Sequence, residues 1–110
     1  MPPDAFTVLA EPTRRRILDR LRAAESSVGE LSAALGVTQP TTSKHLRVLH
    51  DARFVTRRVV AQRRLYRLAP AALQEVDRWL EPYRQLWSTH LDALEQHLDA
   101  LDPSSTQEHP

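Results

Sequence analysis

The spacing of apolar residues changes along the chain, and each change marks an element. Phe6 and Leu9 stand three apart and predict a short helix over residues 4–10. A second helix opens at Glu11-Pro12-Thr13, because proline in a first turn gives up only an N–H that the helix would leave unpaired. Ile17, Leu18 and Leu21 then share one face, while Arg14, Arg15, Arg16, Arg20 and Arg22 project elsewhere. Glu25-Ser26-Ser27 ends this helix. Ser27-Val28-Gly29-Glu30 has the form of a capping box, and the helix it starts carries Leu31 and Leu35. Gly36 suits a left-handed helix end, with Val37 plugging the turn into the core. Thr38 caps the next helix, over residues 38–51, with Pro40 in its first turn. Two helices joined by a short turn containing glycine make a helix-turn-helix.

On the second of those helices Thr42, His45, Leu46 and Leu49 line one side, and Gln39, Pro40, Ser43, Lys44 and Arg47 line the other. Beyond it the period shortens to two. Residues 54–60 and 63–68 alternate β-branched or apolar residues with arginine and predict a hairpin with Ala61-Gln62 near its tip. The tip holds no Gly, Asn or Asp, so the expectation is a longer or looser loop rather than a tight two-residue turn. Pro70 begins the last helix. Its stripe of Leu73, Val76, Leu80, Tyr83, Trp87, Leu91, Leu94, Leu98 and Leu101 advances in steps of three and four, widened by Trp79. Pro82 lies inside the stripe, where a helix is expected to kink or to restart as two.

Composition adds the oligomeric state. The chain has 110 residues and is 41% hydrophobic, enough for one small domain with a core. A monomer of that size buries a modest share of its surface, so a long apolar stripe predicts a core shared with a second copy. There is no cysteine, which excludes disulfides and thiolate metal sites. No apolar run is long enough to span a membrane, and Met1-Pro2-Pro3-Asp4 has neither the charge nor the apolar core of a signal peptide. A cytoplasmic protein is expected.

Charge then points to a partner. Residues 41–68 hold Lys44, Arg47, Arg53, Arg57, Arg58, Arg63, Arg64 and Arg67 against Asp51 alone, while the whole chain carries a formal net charge of +1. From Ala69 onward the balance reverses, with Arg78 and Arg84 against Glu75, Asp77, Glu81, Asp92, Glu95, Asp99, Asp102 and Glu108. A basic middle and an acidic end suggest one face for a polyanion and another for a protein. A capped helix with a small, polar, basic outer face is what a DNA major groove admits. Gln39, Ser43 and Lys44 are expected at base edges, next to Pro40, with Thr41 and Arg47 near phosphates. Arg57, Arg58, Arg63 and Arg64 would each neutralise a phosphate, and Arg67 is the structural one of the set.

Other chemistry is poorly supplied. With only Gly29 and Gly36 there is no phosphate-cradling glycine loop, and no nucleophile triad or carboxylate pair stands out, so no enzyme is expected. His45 reads as a packing and hydrogen-bonding residue. His90 and His97, with Asp92, Glu95 and Asp99, are a thin ligand set for zinc, which needs about four donors. Trp79, Tyr83 and Trp87 read as aromatic dimer core rather than as an effector pocket. No metal and no cofactor are expected, and no small-molecule effector is identified.

The ordered set of motifs resembles the ArsR-type winged helix-turn-helix repressors of bacteria. It runs from Leu9-Ala10-Glu11-Pro12-Thr13-Arg14-Arg15-Arg16-Ile17-Leu18 through Val28-Gly29-Glu30-Leu31 and residues 37–49 to Arg63-Arg64-Leu65-Tyr66-Arg67-Leu68. The tail, Trp79-Leu80 to Trp87 and Leu91 to Glu95, is similar to a metal-independent branch. The resemblance covers about residues 5–101. It implies a mostly α fold with a small β-hairpin, dimerising through its terminal helices, and repression from a palindromic operator read by helix 38–51 and wing 54–68. Phe6, Leu73, Val76, Leu80, Tyr83, Trp87, Leu91, Leu94 and Leu98 would then form the dimer interface. Residues 1–101 make the winged domain, with its dimerisation helix at about 70–101, and 102–110 a disordered tail. Two departures stand out: the family usually has Gly where this chain has Arg53, and Gly near Gln62 at the wing tip. The alternatives are a metal-responsive repressor with ligands on the last helix, and a winged-helix interaction module that does not bind DNA.

Overall fold

A computed structural model describes residues 4–101. The tail expected at 102–110 lies outside the described residues. The elements are α1 (Ala5–Ala10), α2 (Pro12–Ala23), β1 (Ser26–Ser27), α3 (Val28–Leu35), α4 (Gln39–Asp51), β2 (Val55–Val60), β3 (Arg63–Leu68) and α5 (Pro70–Leu101). They fall into two compact units, one ending at Val76 and the other starting at Asp77.

In the first unit Val8, Ile17, Leu18, Leu21, Leu31, Leu46, Leu49, Phe54, Val55 and Tyr66 form the core. On α1 the buried residues are Ala5 and Val8, with Leu9 partly buried against the core and Phe6 partly exposed. The short helix turns its smaller residues to α2. The arginine run Arg14–Arg16 has a structural role that sequence reasoning missed. Arg14 donates from Nε to the Val8 carbonyl (2.7 Å) and from Nη2 to Thr7 (3.3 Å), and Arg15 donates to Leu9 (2.6 Å). Arg16 donates to the Leu35 carbonyl at the end of α3 (3.1 Å). Three consecutive cations thus satisfy the orphan carbonyls of two helix C-termini, where the helix dipole also favours positive charge.

The helix-turn-helix is capped as its residues dictate. Ser27 and Glu30 form the reciprocal capping box, and Gly36 ends α3 at φ 67°. Thr38 caps α4 through the Thr41 N–H, and the buried Thr42 hydroxyl donates to the Thr38 carbonyl (2.9 Å). α4 then ends in a Schellman motif. The Arg53 N–H donates to His50 O (3.1 Å) and the Phe54 N–H to Leu49 O (2.9 Å), with Phe54 and Leu49 both in the core.

The wing departs from expectation at its tip. β2 and β3 pair antiparallel from Val55↔Leu68 to Val60↔Arg63, so the connection is the two residues Ala61-Gln62 and not a loose loop. Ala61 carries φ 57°, the backbone sign that a first central residue takes in a type II′ turn. The tip closes because Val55, Tyr66 and Leu68 must all face the core, and that register leaves two residues over. Sequence reading also missed β1, which pairs with β3 through Ser26↔Tyr66 and Ser27↔Leu65 to give a sheet of order β1-β3-β2.

Among the described residues, Arg53 (φ 65°) and Ala61 are the only non-glycine residues at positive φ, and they stand where the resemblance implies glycine. A left-handed residue costs about 1–2 kcal/mol and glycine returns about 0.5–1 of this through its freer unfolded chain. Arg53→Gly and Ala61→Gly should therefore each stabilise by about 0.5–1 kcal/mol in urea melts. A loss of stability at either position would contradict the backbone geometry.

In α5 the helix runs unbroken through Pro82 and does not restart as two. Val76 packs against the first unit's core, so it is partly withdrawn from the interface proposed for it. In the second unit Trp79 and Tyr83 stack tilted, with centroids 4.7 Å apart, and Arg84 bridges Asp77 (2.7 Å) and Glu81. Both arginine contacts hold one side of the helix, and the hydrogen bond from Arg84 to Glu81 keeps that carboxyl below its usual range although the nearby Asp77 charge opposes the shift. No helix among the described residues is long and apolar enough to cross a membrane.

Candidate nucleic-acid interface

α4 presents two opposed faces. Thr42, Leu46 and Leu49 are buried, whereas Gln39, Pro40, Thr41, Ser43, Lys44 and Arg47 are all exposed. The buried face fixes the helix to the core, so the exposed one projects as a rigid rod. Gln39 reaches back over Gly29 of α3: a Cβ at Gly29 would lie 3.6 Å from its Nε2. Thr41 Oγ1 accepts a hydrogen bond from Thr38 Oγ1 (3.0 Å), tying it to the cap.

His45 sits at the edge between the faces. Its Nδ1 is 3.5 Å from Arg14 Nη1 and its Nε2 is 3.9 Å from Glu11 Oε2. Glu11 also caps α2 by accepting from the Arg14 N–H (3.0 Å). Burial would raise the Glu11 carboxyl, but that hydrogen bond and the nearby His45 and Arg14 leave it lowered overall. The small network fastens α4 to the α1–α2 junction and matches the packing role expected of this histidine.

The wing arginines divide between the two faces of the sheet. Opposed residues share a face, so Arg57 with Tyr66 and Val59 with Arg64 lie on the core side, and Arg58 with Leu65 and Val60 with Arg63 on the other. On that outer side Arg58 makes a bidentate pair with Glu25 (2.9 and 2.7 Å), and Arg63 meets Glu30 Oε1 (2.7 Å), the same oxygen that accepts the Ser27 N–H (3.1 Å). Arg67 Nε donates to Thr56 Oγ1 (3.4 Å). Among the described residues Lys44, Arg47, Arg57 and Arg64 have no ion pair and no side-chain hydrogen bond. The structure therefore brings Arg57 and Arg64 to α4 and ties Arg58 and Arg63 to carboxylates that sequence reasoning did not connect with them.

The hydrogen bond from Arg58 holds the Glu25 carboxyl below its ordinary value of 4.5, and the Ser27 N–H, then Arg63, do the same for Glu30. A carboxylate whose folded pKa is depressed adds stability that is complete above its unfolded value and lost as pH falls through the folded one. Melting temperature should hold from neutral pH to just above 4.5 and fall below it. Glu25→Gln with Glu30→Gln should flatten that acid limb, leaving the share of Glu11 and Glu81. An acid limb identical to that of the parent chain would show that these pairs do not report on folding.

The stripe residues are placed as follows. Phe6 and Leu73 are partly exposed in the first unit, and Leu80, Tyr83, Trp87, Leu91, Leu94 and Leu98 are exposed in the second. Leu86, absent from the expected stripe, is exposed beside them. Among the described residues no three His, Asp or Glu side chains converge closely enough within the chain to hold a metal ion.

Residues 11–57 match the family of bacterial regulatory proteins designated arsR. The chain is 37% identical over 99 residues to the HTH-type transcriptional regulator Rv2034 of Mycobacterium tuberculosis, covering 90% of each protein. It is 29% identical over 77 residues to the transcriptional repressor SdpR of Bacillus subtilis, covering 70% of this chain and 86% of that one. Its fold is also similar to the homodimeric winged helix-turn-helix DNA-binding domain of a possible ArsR-family transcriptional regulator from Mycobacterium bovis. That match has TM-score 0.59 and 28% identity, and covers 80% of this chain and 79% of the other.

Proposed function

The chain belongs to the arsR family of bacterial regulatory proteins, and on that premise we propose how its residues serve DNA binding. It is a transcriptional regulator with a winged helix-turn-helix DNA-binding fold, not an enzyme. As a repressor it would act in the cytoplasm, where the chromosome is, as a homodimer on an imperfect palindrome. Two copies of α4 would enter successive major grooves roughly 34 Å apart. Gln39, Ser43 and Lys44 read base edges, where Gln suits adenine and Lys suits guanine. Pro40 shapes the entering turn, and Thr41 and Arg47 meet phosphates. Arg57 and Arg64 meet the flanking backbone, while Arg58 and Arg63 act chiefly as positioning residues through Glu25 and Glu30.

The observation that carries this reading is α4 itself, fully buried along one face and entirely polar, small or basic along the other. Dimerisation is supported by the exposed apolar stripe of α5 and by the homodimeric relative. This reading involves no metal, an expectation drawn from a sequence without cysteine whose last helix offers only His90 and His97 beside Asp92, Glu95 and Asp99.

Selection of bound duplexes from genomic fragments tests it. A palindromic site should emerge, and Gln39→Ala or Lys44→Ala should each weaken that site by about 1–3 kcal/mol and relax base choice in the half-site. Chelator should leave affinity unchanged. Full discrimination between operator and scrambled duplex in both variants would remove α4 from the groove. A chelator-induced loss restored by zinc would make the protein a metal sensor instead.

A further inference from the structure

Three guanidiniums without an acidic partner meet at one small cavity. Arg47 comes from α4, Arg57 from β2 and Arg64 from β3; together with Val28, Ser43 and Tyr66 they line a space of about 140 Å³. The sheet register brings the two wing arginines together. Arg57 pairs with Tyr66 and Arg64 with Val59, so they are diagonal neighbours on one face, about 7–8 Å apart. That is a span two guanidiniums can close around one small anion. The third arrives because α4 packs on β2, one turn beyond the Ser43 hydroxyl.

Size and charge restrict the occupant. The volume is several times the roughly 30 Å³ of a water in the liquid and well below the roughly 300–1,000 Å³ of pockets for drug-sized ligands. No carboxylate lines it, so three like charges reinforce one another's field. The outer side of the same wing is the contrast, because there Glu25 and Glu30 neutralise Arg58 and Arg63. Guanidinium forks match the oxygens of phosphate, and the hydroxyl of Ser43 can donate to another.

We propose that this cavity is a seat for a single phosphate group, on which Arg47, Arg57, Arg64 and Ser43 converge. The inference rests on the DNA-binding reading above and deepens it: the three arginines share one phosphate instead of each meeting its own, and Ser43 turns its hydroxyl to that phosphate, leaving base edges to Gln39 and Lys44. The group is supplied by a phosphodiester of bound duplex or by free orthophosphate, and the test separates the two.

In the first arm the full chain is melted in sodium phosphate and in sodium chloride of equal ionic strength and pH. A free-anion seat raises the melting temperature in phosphate, and the rise disappears in the Arg47→Gln, Arg57→Gln, Arg64→Gln triple variant but survives in Arg58→Gln with Arg63→Gln. In the second arm the salt dependence of duplex affinity is measured. The triple variant should flatten the slope by about 0.9 per protomer, the value of one phosphate. A drop of one phosphate without any phosphate-specific melting shift assigns the seat to the duplex alone. A melting shift with an unchanged slope assigns it to the free anion. A drop near three phosphates per protomer means three separate contacts and overturns the shared seat, as does no response in either arm. A parent chain that binds no duplex at all would sink the DNA-binding reading instead and leave the melting arm to decide the seat.

Discussion

Replacing Phe54 with alanine is expected to cost about 3–5 kcal/mol, the range for removing a large side chain from a packed core. Phe54 is 0% exposed and is the largest of the fully buried side chains. Its backbone is committed at both ends: its N–H closes the Schellman motif on Leu49, and its carbonyl accepts from Ala69 (2.9 Å) where the chain leaves the wing for α5. Its backbone therefore ties the end of α4 and the start of β2 to the approach to α5, while its ring is buried in the core. A small domain has only about 5–15 kcal/mol in total, so the variant should be largely unfolded at 37 °C. Urea melts read the loss directly. Phe54→Leu, which keeps most of the volume, should cost far less. A Phe54→Ala protein within 1 kcal/mol of the parent would mean that the wing is not anchored through this ring.

Leu91→Glu combined with Leu94→Glu should abolish the dimer. These leucines are 49% and 48% exposed in the single chain, in the middle of a run of exposed apolar residues from Trp79 to Leu101. Soluble proteins seldom leave a contiguous stripe of this kind open to water. Two carboxylates per protomer would enter the interface as unpaired like charges. Hot-spot losses of about 2 kcal/mol for each of the four substituted side chains of the symmetric dimer, about 8 kcal/mol together, would lower the association constant by roughly a millionfold. Operator affinity should fall with it by about 10²–10⁴, because the second recognition helix no longer binds as part of the same particle. Sedimentation gives the oligomeric state, and circular dichroism establishes that α5 is still helical. A monodisperse monomer of the unmodified chain at micromolar concentration would overturn the dimer itself.

Much of the helix-turn-helix was legible because its signals are local. Ser27 with Glu30, Gly36, Thr38 and Pro40 act on backbone groups within four residues, so their spacing suffices to locate the helix ends. The division of α4 into a buried and an exposed face follows from period alone. The stripe of α5 was legible for the same reason, while Pro82 left a kink and a restart both open, and of the two the restart does not occur.

Where reasoning from the sequence ran out, the deciding partner was distant in the chain. Glu25 and Glu30 each bind an arginine 33 positions away, and no local pattern pairs them. Arg14, Arg15 and Arg16 read as a charge run until the carbonyls of α1 and α3 are seen beside them. The strand Ser26–Ser27 has no apolar period at all. It exists because the free edge of β3 offers unpaired N–H and C=O groups to whatever backbone passes beside it.

By itself, then, the sequence determined the order of the elements, the caps of the two central helices, and which side of α4 is polar, since each depends on groups a few bonds or one helical turn apart. Tertiary structure decided which wing arginines stand free beside α4 and which are neutralised, and it decided the tight tip at Ala61-Gln62. Both follow from strand register. That register is set by the burial of Val55, Tyr66 and Leu68 against the core, and a shift of one residue would have exchanged every side chain between the two faces. The energy of a packed face outweighs the modest cost of a non-glycine residue at positive φ, so the core overruled the turn chemistry that the tip residues would have chosen on their own.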